Sequence, residues 1–334
     1  MAAHCGGMDE KMLIVQKFGG SSLADIERLR TAAGICLRAR RRGHEVVVVV
    51  SAMGISTDAL IDLAQKISAA PSKRELDALM ATGEQQSAAL MAMTLESMGM
   101  RACSFTGWQT GIYTDRIHGE AEIEFVSAER LYGALIAGQI PVVAGFQGIS
   151  SGEDITTLGR GGSDTSAAAL CAAIDADCCE IYTDVDGIYT ADPRLVSEAV
   201  FIKEIDCRDM LLLARAGSQV LHSKSVELAM ANGVELRLLP AYKEGEGSLV
   251  RILSDRERPP IAGVTRNAAE SEVTLVGKSV SGETMQAMVE ALEHSGIKVA
   301  VGCAGSGFAT VKVEPDRLID ALGRTHAFML ELLQ

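Results

Sequence analysis

Two glycine-rich stretches beside single charged side chains carry most of the chemistry this sequence offers. In Lys17-Phe18-Gly19-Gly20-Ser21-Ser22 the glycines let the backbone approach a ligand closely. The helix start that follows favours an anion, and Lys17 adds a point charge. The same residues also read as a tight turn with an exposed lysine. A second loop, Gly159-Arg160-Gly161-Gly162-Ser163-Asp164-Thr165, opens an alanine-rich helix over Ser166–Ala173. It again offers amides at a helix start, now with Arg160 and Asp164 beside them, although Asp164 also suits a plain N-cap or first-turn position. Two such loops in one chain point to phosphate. A third stretch, from Thr183-Asp184-Val185-Asp186-Gly187 through Tyr189 to Arg194, is dense in turn residues and carboxylates. It suits a ribose, a metal or simply a solvated loop.

Two lookalikes fail. Gly277-Lys278-Ser279 ends like a P-loop, but the glycine required five positions earlier is Glu272. Gly148-Ile149-Ser150-Ser151-Gly152 has nucleophile-elbow spacing, yet its flanks read as a hairpin turn without a strand-to-helix corner.

The elements that must position these loops alternate. Met12–Gln16 reads as a strand. Ile26, Leu29, Ala33 and Leu37 then recur at helical spacing, and the arginines at 38 and 40–42 suit that helix's C-terminal end. Val46–Val50 is a continuous apolar run, as a strand buried on both faces requires. Ser72 and Glu75 have capping-box spacing ahead of a long helix. Further strands are expected at 101–105, 141–146, 179–184 and 234–239. The alternation predicts an α/β layered fold around a mainly parallel sheet. Residues 254–271, with Pro259-Pro260, read as a linker. Beyond it come strand 272–277, helix 283–294, strands 298–302 and 309–314, and helix 316–328, a small α+β unit.

Composition narrows the classes. The 334 residues carry 44 acidic and 31 basic side chains, a formal net charge of −13. That balance argues against a nucleic-acid backbone as partner. Aromatics are 4%, so the core is aliphatic. No run approaches the ~18 apolar residues of a membrane span. The first ten residues lack the pattern of a signal peptide, and the eight cysteines lack zinc-ligand spacing and read as buried thiols in a reducing cytoplasm.

Taken together, the three stretches resemble aspartate kinases of the amino-acid kinase superfamily. The resemblance extends to Val50-Ser51-Ala52-Met53-Gly54, Thr82-Gly83-Glu84-Gln85, Ser104-Phe105-Thr106-Gly107 and Ala144-Gly145-Phe146-Gln147-Gly148, in family order from residue 12 to 253. It implies a three-layer sandwich with a mainly parallel sheet, and transfer of the ATP γ-phosphoryl group to the β-carboxylate of L-aspartate. By that likeness Lys17 meets the transferring phosphate, Gly19, Gly20 and Ser21 cradle it, and Asp164 orients the lysine. Arg160 takes the substrate α-carboxylate and Glu84 its ammonium, while Ser51, Thr57, Phe146 and Ser163 line the aspartate pocket. Thr183, Asp184, Tyr189 and Arg194 hold the nucleotide, and Mg²⁺ accompanies ATP.

The resemblance implies a catalytic domain over 1–253, the linker 254–271, and one ACT-like domain over 272–334. Many relatives have a nucleotide-contacting lysine where this chain has Gln219, and Leu238–Gly247 departs from the usual end of the kinase domain. Relatives usually carry two ACT modules. Only one fits here, without the usual effector motifs, so the expectation is a cytoplasmic homodimer without lysine or threonine feedback. A related amino acid as acceptor, and a non-catalytic regulatory subunit, are the alternative readings. Retention of Lys17, Arg160 and Asp164 speaks against the second.

Overall fold

The computed structural model describes residues 11–333, so the readings made of the first ten residues, Cys5 included, lie outside the described residues. The chain divides into two compact units. One runs to Asp184 and includes Pro240–Glu244; the other comprises Val185–Leu239 and the chain from Gly245 onward.

In the first unit the chain order is β1 (Leu13–Phe18), α1 (Ile26–Arg41), β2 (Glu45–Val50), α2 (Ser56–Ile67), α3 (Lys73–Ser97) and β3 (Ala102–Phe105). Then follow β4 (Ile112–Thr114), β5 (Ile123–Val126), α4 (Glu129–Ile136), β6 (Ile140–Ala144), β7 (Gln147–Ser150), β8 (Ile155–Thr157), α5 (Gly162–Ala173) and β9 (Cys178–Thr183). Five of the strands form a parallel array in the order β9-β1-β2-β6-β3. Val46 to Val50 are all fully buried, so the array is covered on both faces, as the unbroken valine run predicts. Helices α1, α3 and α4 pack on β2, β3 and β6, and the alanine-rich α5 lies against β1 and β9. The chain leaves β1 toward β2 on one side and returns to pair β9 on the other. The crevice beyond the carboxyl end of β1 is therefore a topological switch point, where α/β sheets bind ligands.

The ends of the elements follow local chemistry. Asp25 caps α1 by accepting the Arg28 N–H at 2.8 Å, and arginines occupy the last turn. Ser72 caps α3 through the Glu75 N–H at 3.4 Å, but the Glu75 carboxylate pairs with Arg74 instead of closing a capping box. Helix α2 escapes the periodicity argument because it buries only Ala64 and leaves Leu63 and Ile67 exposed. Strands β7 and β8 form an antiparallel hairpin, so Gly148–Gly152 belongs to a hairpin and its turn. That hairpin joins β4 and β5 in a small sheet, β5-β4-β7-β8.

The second unit begins with the β10 (Ile188–Tyr189) and β11 (Phe201–Ile202) hairpin. It continues through β12 (Glu204–Asp206), α6 (Cys207–Arg215), α7 (Ser223–Asn232), β13 (Leu236–Pro240, all but its last residue in this unit) and β14 (Ser248–Arg251). A four-stranded antiparallel sheet follows, ordered β15 (Gly263–Asn267), β16 (Glu272–Val276), β18 (Phe308–Val313) and β17 (Val299–Gly305). Helices α8 (Gly282–His294) and α9 (Leu318–Leu332) pack on it and on each other. The stretch read as a linker thus holds a strand, β15, paired along its length with β16. The prolines at 259 and 260 sit just before it and conceal it. Ala191 and Val196 join the apolar core of this sheet and its helices, and the segment from Val185 falls in the second unit. Cys36, Cys171, Cys178, Cys179 and Cys207 are buried thiols as expected, whereas Cys303 on β17 is exposed.

Candidate functional site

The first glycine loop leaves β1 at Lys17 and Phe18. Gly20 has no room for a side chain: a Cβ there would fall 2.8 Å from the Ala52 carbonyl oxygen. The Gly20 carbonyl accepts the Gly54 N–H at 3.0 Å, and the Ser51 N–H bonds to Phe18 O at 3.1 Å. The loops after β1 and β2 are therefore stitched together at the carboxyl edge of the array. The second glycine loop caps α5 through Gly161, whose φ of +73° is left-handed and disfavours any residue with a Cβ. Its carbonyl accepts the N–H groups of both Asp164 and Thr165 at 3.1 Å.

These loops enclose a pocket of about 320 Å³ lined by Lys17, Gly20, Ser51, Thr57, Glu84, Phe146, Arg160, Ser163 and Asp164, together with Ala52, Gly54, Gly159, Gly161 and Gly162. Nine of the fifteen residues singled out from sequence line it. Lys17 Nζ stands 2.5 Å from Asp164 Oδ1, both side chains nearly withdrawn from solvent. Phe146 holds a φ of +70°, a conformation that costs on the order of 1 kcal/mol or more in a residue with a side chain. It is fixed there because its N–H donates to Ser166 Oγ at 3.0 Å and its carbonyl accepts the Leu158 N–H at 2.9 Å.

Glu84 lies inside α3 and is 3% exposed. Its Oε1 accepts the Ala52 N–H at 3.0 Å, while Oε2 has no hydrogen-bond partner among the described residues. Burial pushes its carboxyl up to about 7, against the smaller downward pull of backbone hydrogen bonds. A buried carboxylate with one oxygen unpaired in a pocket is a site for a cation or a hydrogen-bond donor.

Six expected residues are absent from that lining. Gly19 was expected to offer its amide to phosphate, but its N–H points to Tyr182 O at 3.3 Å. The Ser21 carbonyl accepts from Arg28 Nη1 at 2.8 Å and from the Tyr242 hydroxyl. Tyr242, from the stretch that departs from the family pattern, has the Arg28 guanidinium 5.0 Å above its ring. Thr183 ends β9 and its hydroxyl donates to Asp184 Oδ1 at 3.1 Å. In the second unit, Tyr189 packs edge-on against Phe201 at 5.4 Å. There Arg194 bonds both oxygens of Asp192 at 2.9 and 2.8 Å, which holds that carboxyl below its usual range.

Comparison with known proteins agrees with this architecture. The profile of the amino acid kinase family matches residues 12–239, and the chain belongs to that family. Within it, the chain is 49% identical to the aspartokinase of Mycolicibacterium smegmatis over 79% of its own length and 64% of that protein's. It is 45% identical to the aspartokinase of Geobacillus stearothermophilus over 86% of its length and 71% of the relative's. The chain thus spans roughly two thirds of these relatives. Aspartokinase III of E. coli, solved in complex with aspartate and ADP, matches with a TM-score of 0.84 over 95% of this chain and 100% of that one. At 21% identity, that is a likeness of fold. Among the described residues no helix is long and apolar enough to cross a membrane.

Proposed function

We propose that this chain transfers the γ-phosphoryl group of ATP to the β-carboxylate of L-aspartate, giving 4-phospho-L-aspartate in the cytoplasm. The observation that carries the reading is the placement of Lys17 with Asp164, Arg160, and the half-paired Glu84 carboxylate around one pocket. The aspartokinase relatives support the choice of acceptor.

A carboxylate acceptor is ionised near neutral pH and needs no general base. The difficulty is electrostatic, since two anions must be brought into line. Lys17 offsets charge on the transferring group, with Asp164 fixing the ammonium. Arg160 grips the α-carboxylate as a planar fork. Glu84 receives the α-ammonium on its unpaired oxygen, leaving the β-carboxylate to face Lys17. Ser51, Thr57, Phe146 and Ser163 complete the aspartate pocket. Thr183, Asp184, Tyr189 and Arg194 are assigned to the nucleotide, with the amides around Gly20 facing its phosphates. Of the two pocket carboxylates, Asp164 is held by Lys17 and Glu84 by an amide, so the donor set suits a cation carried on phosphate oxygens. Mg²⁺ bound that way supplies charge neutralisation on the nucleotide.

Purified protein given ATP, Mg²⁺, L-aspartate and hydroxylamine should yield aspartyl hydroxamate through trapping of the acyl phosphate. No product from aspartate, with product from another carboxylate, would show that the acceptor is wrong.

The chain is further assigned as a homodimer. Strand β17 is one edge of its four-stranded sheet, exposed along residues 300–304, and Val299-Ala300-Val301-Gly302-Cys303-Ala304-Gly305 holds no charge or proline. Such an edge pairs readily with another strand, and a second copy offers the same one. Light scattering should give the mass of two chains, reduced to one by Val301→Lys; a monomeric wild type refutes the assignment.

A further inference from the structure

Asp77 lies on α3 seven residues before Glu84, two helical turns or about 10 Å along the same face. It is fully buried. Three donors from distant parts of the chain converge on its carboxylate. Thr157 Oγ1 donates to Oδ1 at 2.6 Å, the Gly119 N–H donates to Oδ2 at 3.0 Å, and His118 Nδ1 lies 2.8 Å from Oδ2. Thr157 ends β8, three residues before Arg160, and its carbonyl accepts the Ala121 N–H at 2.9 Å. The loop carrying His118 and Gly119 packs against the Arg160 loop itself, since a Cβ on Gly159 would stand 3.1 Å from Gly119 O.

We propose that Asp77 is a positioning residue that sets the separation between Glu84 and Arg160. One rigid helix carries both Asp77 and Glu84, and Asp77 ties that helix to the two segments that place Arg160. A buried carboxylate with three donors holds this distance more tightly than apolar packing, because each bond has a narrow length and direction. The distance matters because Glu84 and Arg160 would hold the two α-substituents of one small amino acid. The inference therefore rests on the reading of those two residues as aspartate ligands.

Asp77→Asn presents an amide to converging donors, and Thr157→Val removes one of the three. Both should raise KM for aspartate, Asp77→Asn by about tenfold or more, with KM for ATP unchanged and kcat within about threefold of wild type. Leu29→Ala, a cavity in α1, serves as the control for general destabilisation; it should lower the melting temperature without moving KM for aspartate. Should Asp77→Asn fail to fold, Thr157→Val carries the test. If either variant lowers the melting temperature as Leu29→Ala does without moving KM for aspartate, or shifts both KM values and kcat together, the positioning role is wrong. Arg160→Ala is measured alongside. An unchanged KM for aspartate in Arg160→Ala overturns the ligand reading and this inference with it. A raised KM there, with wild-type values in Asp77→Asn and Thr157→Val, overturns the inference alone.

Discussion

Lys17→Ala is expected to cut hydroxamate formation from aspartate by at least about a hundredfold, ~3 kcal/mol, the usual effect of removing a positioned group that meets developing charge. In the proposed function Lys17 is the cation that meets the transferring phosphate; it lines the pocket with its ammonium 2.5 Å from Asp164. The variant also has a stability cost. Asp164, its side chain only 14% exposed, loses its partner. Removing one member of a buried pair destabilises by ~3–5 kcal/mol, and this partly accessible pair should lose less. Activity and stability are separable. Lys17→Met combined with Asp164→Leu removes both charges and should recover much of the melting temperature while remaining inactive. Substantial turnover in folded Lys17→Ala, within a few-fold of wild type, would remove Lys17 from the mechanism. Arginine is not a rescue here, since a planar fork does not reproduce a compact ammonium beside one carboxylate.

The parts of the site legible in the sequence are those where backbone geometry forces a residue type. Gly20 faces the Ala52 carbonyl and Gly161 adopts a positive φ, so the loops announce themselves through glycine. The valine run of β2 announces a strand covered on both faces for a similar reason. Glu84 was legible only through its motif. Nothing local says that its helix turns it toward the Ala52 amide, a partner 32 residues away. Asp77 was missed altogether, because a charged residue on a helix reads as solvated and its donors stand 41, 42 and 80 residues further on. A carboxylate two turns before Glu84 on the same face was the available signal. The division of the chain was hidden by a comparable long-range effect. Ala191 and Val196 are unremarkable in a turn-rich stretch, and only the C-terminal sheet and helices packed on them give them a core.

The second large effect is on pH, and it follows from Glu84. In the free protein burial raises its carboxyl from 4.5 to about 7. In the proposed function the ligand-binding form is the ionised one, which pairs with the aspartate ammonium. As pH falls through about 7 the free site takes up a proton, and kcat/KM for aspartate should drop with a limiting slope of one on a logarithmic plot. Glu84→Gln keeps an acceptor for Ala52 but removes the charge. It should abolish that bend and lower kcat/KM by ~2 kcal/mol, about thirtyfold, at neutral pH. The linkage to stability runs the opposite way from that of a salt-bridged carboxylate. Between 4.5 and about 7 the folded state holds a proton that the unfolded state has released, so stability falls as pH rises through this window and levels off above it. The loss from this group amounts to on the order of 3 kcal/mol. Ligand-free Glu84→Gln should therefore be more stable than wild type at about pH 8, with no such advantage near pH 4. Added aspartate should narrow the gap, because its ammonium stabilises the ionised carboxylate and binding releases the proton. Calorimetry in buffers of different ionisation enthalpy would register that release below about pH 7. A flat kcat/KM profile across neutrality, or a Glu84→Gln protein no more stable than wild type in alkaline buffer, would show that the carboxylate is satisfied by something other than substrate.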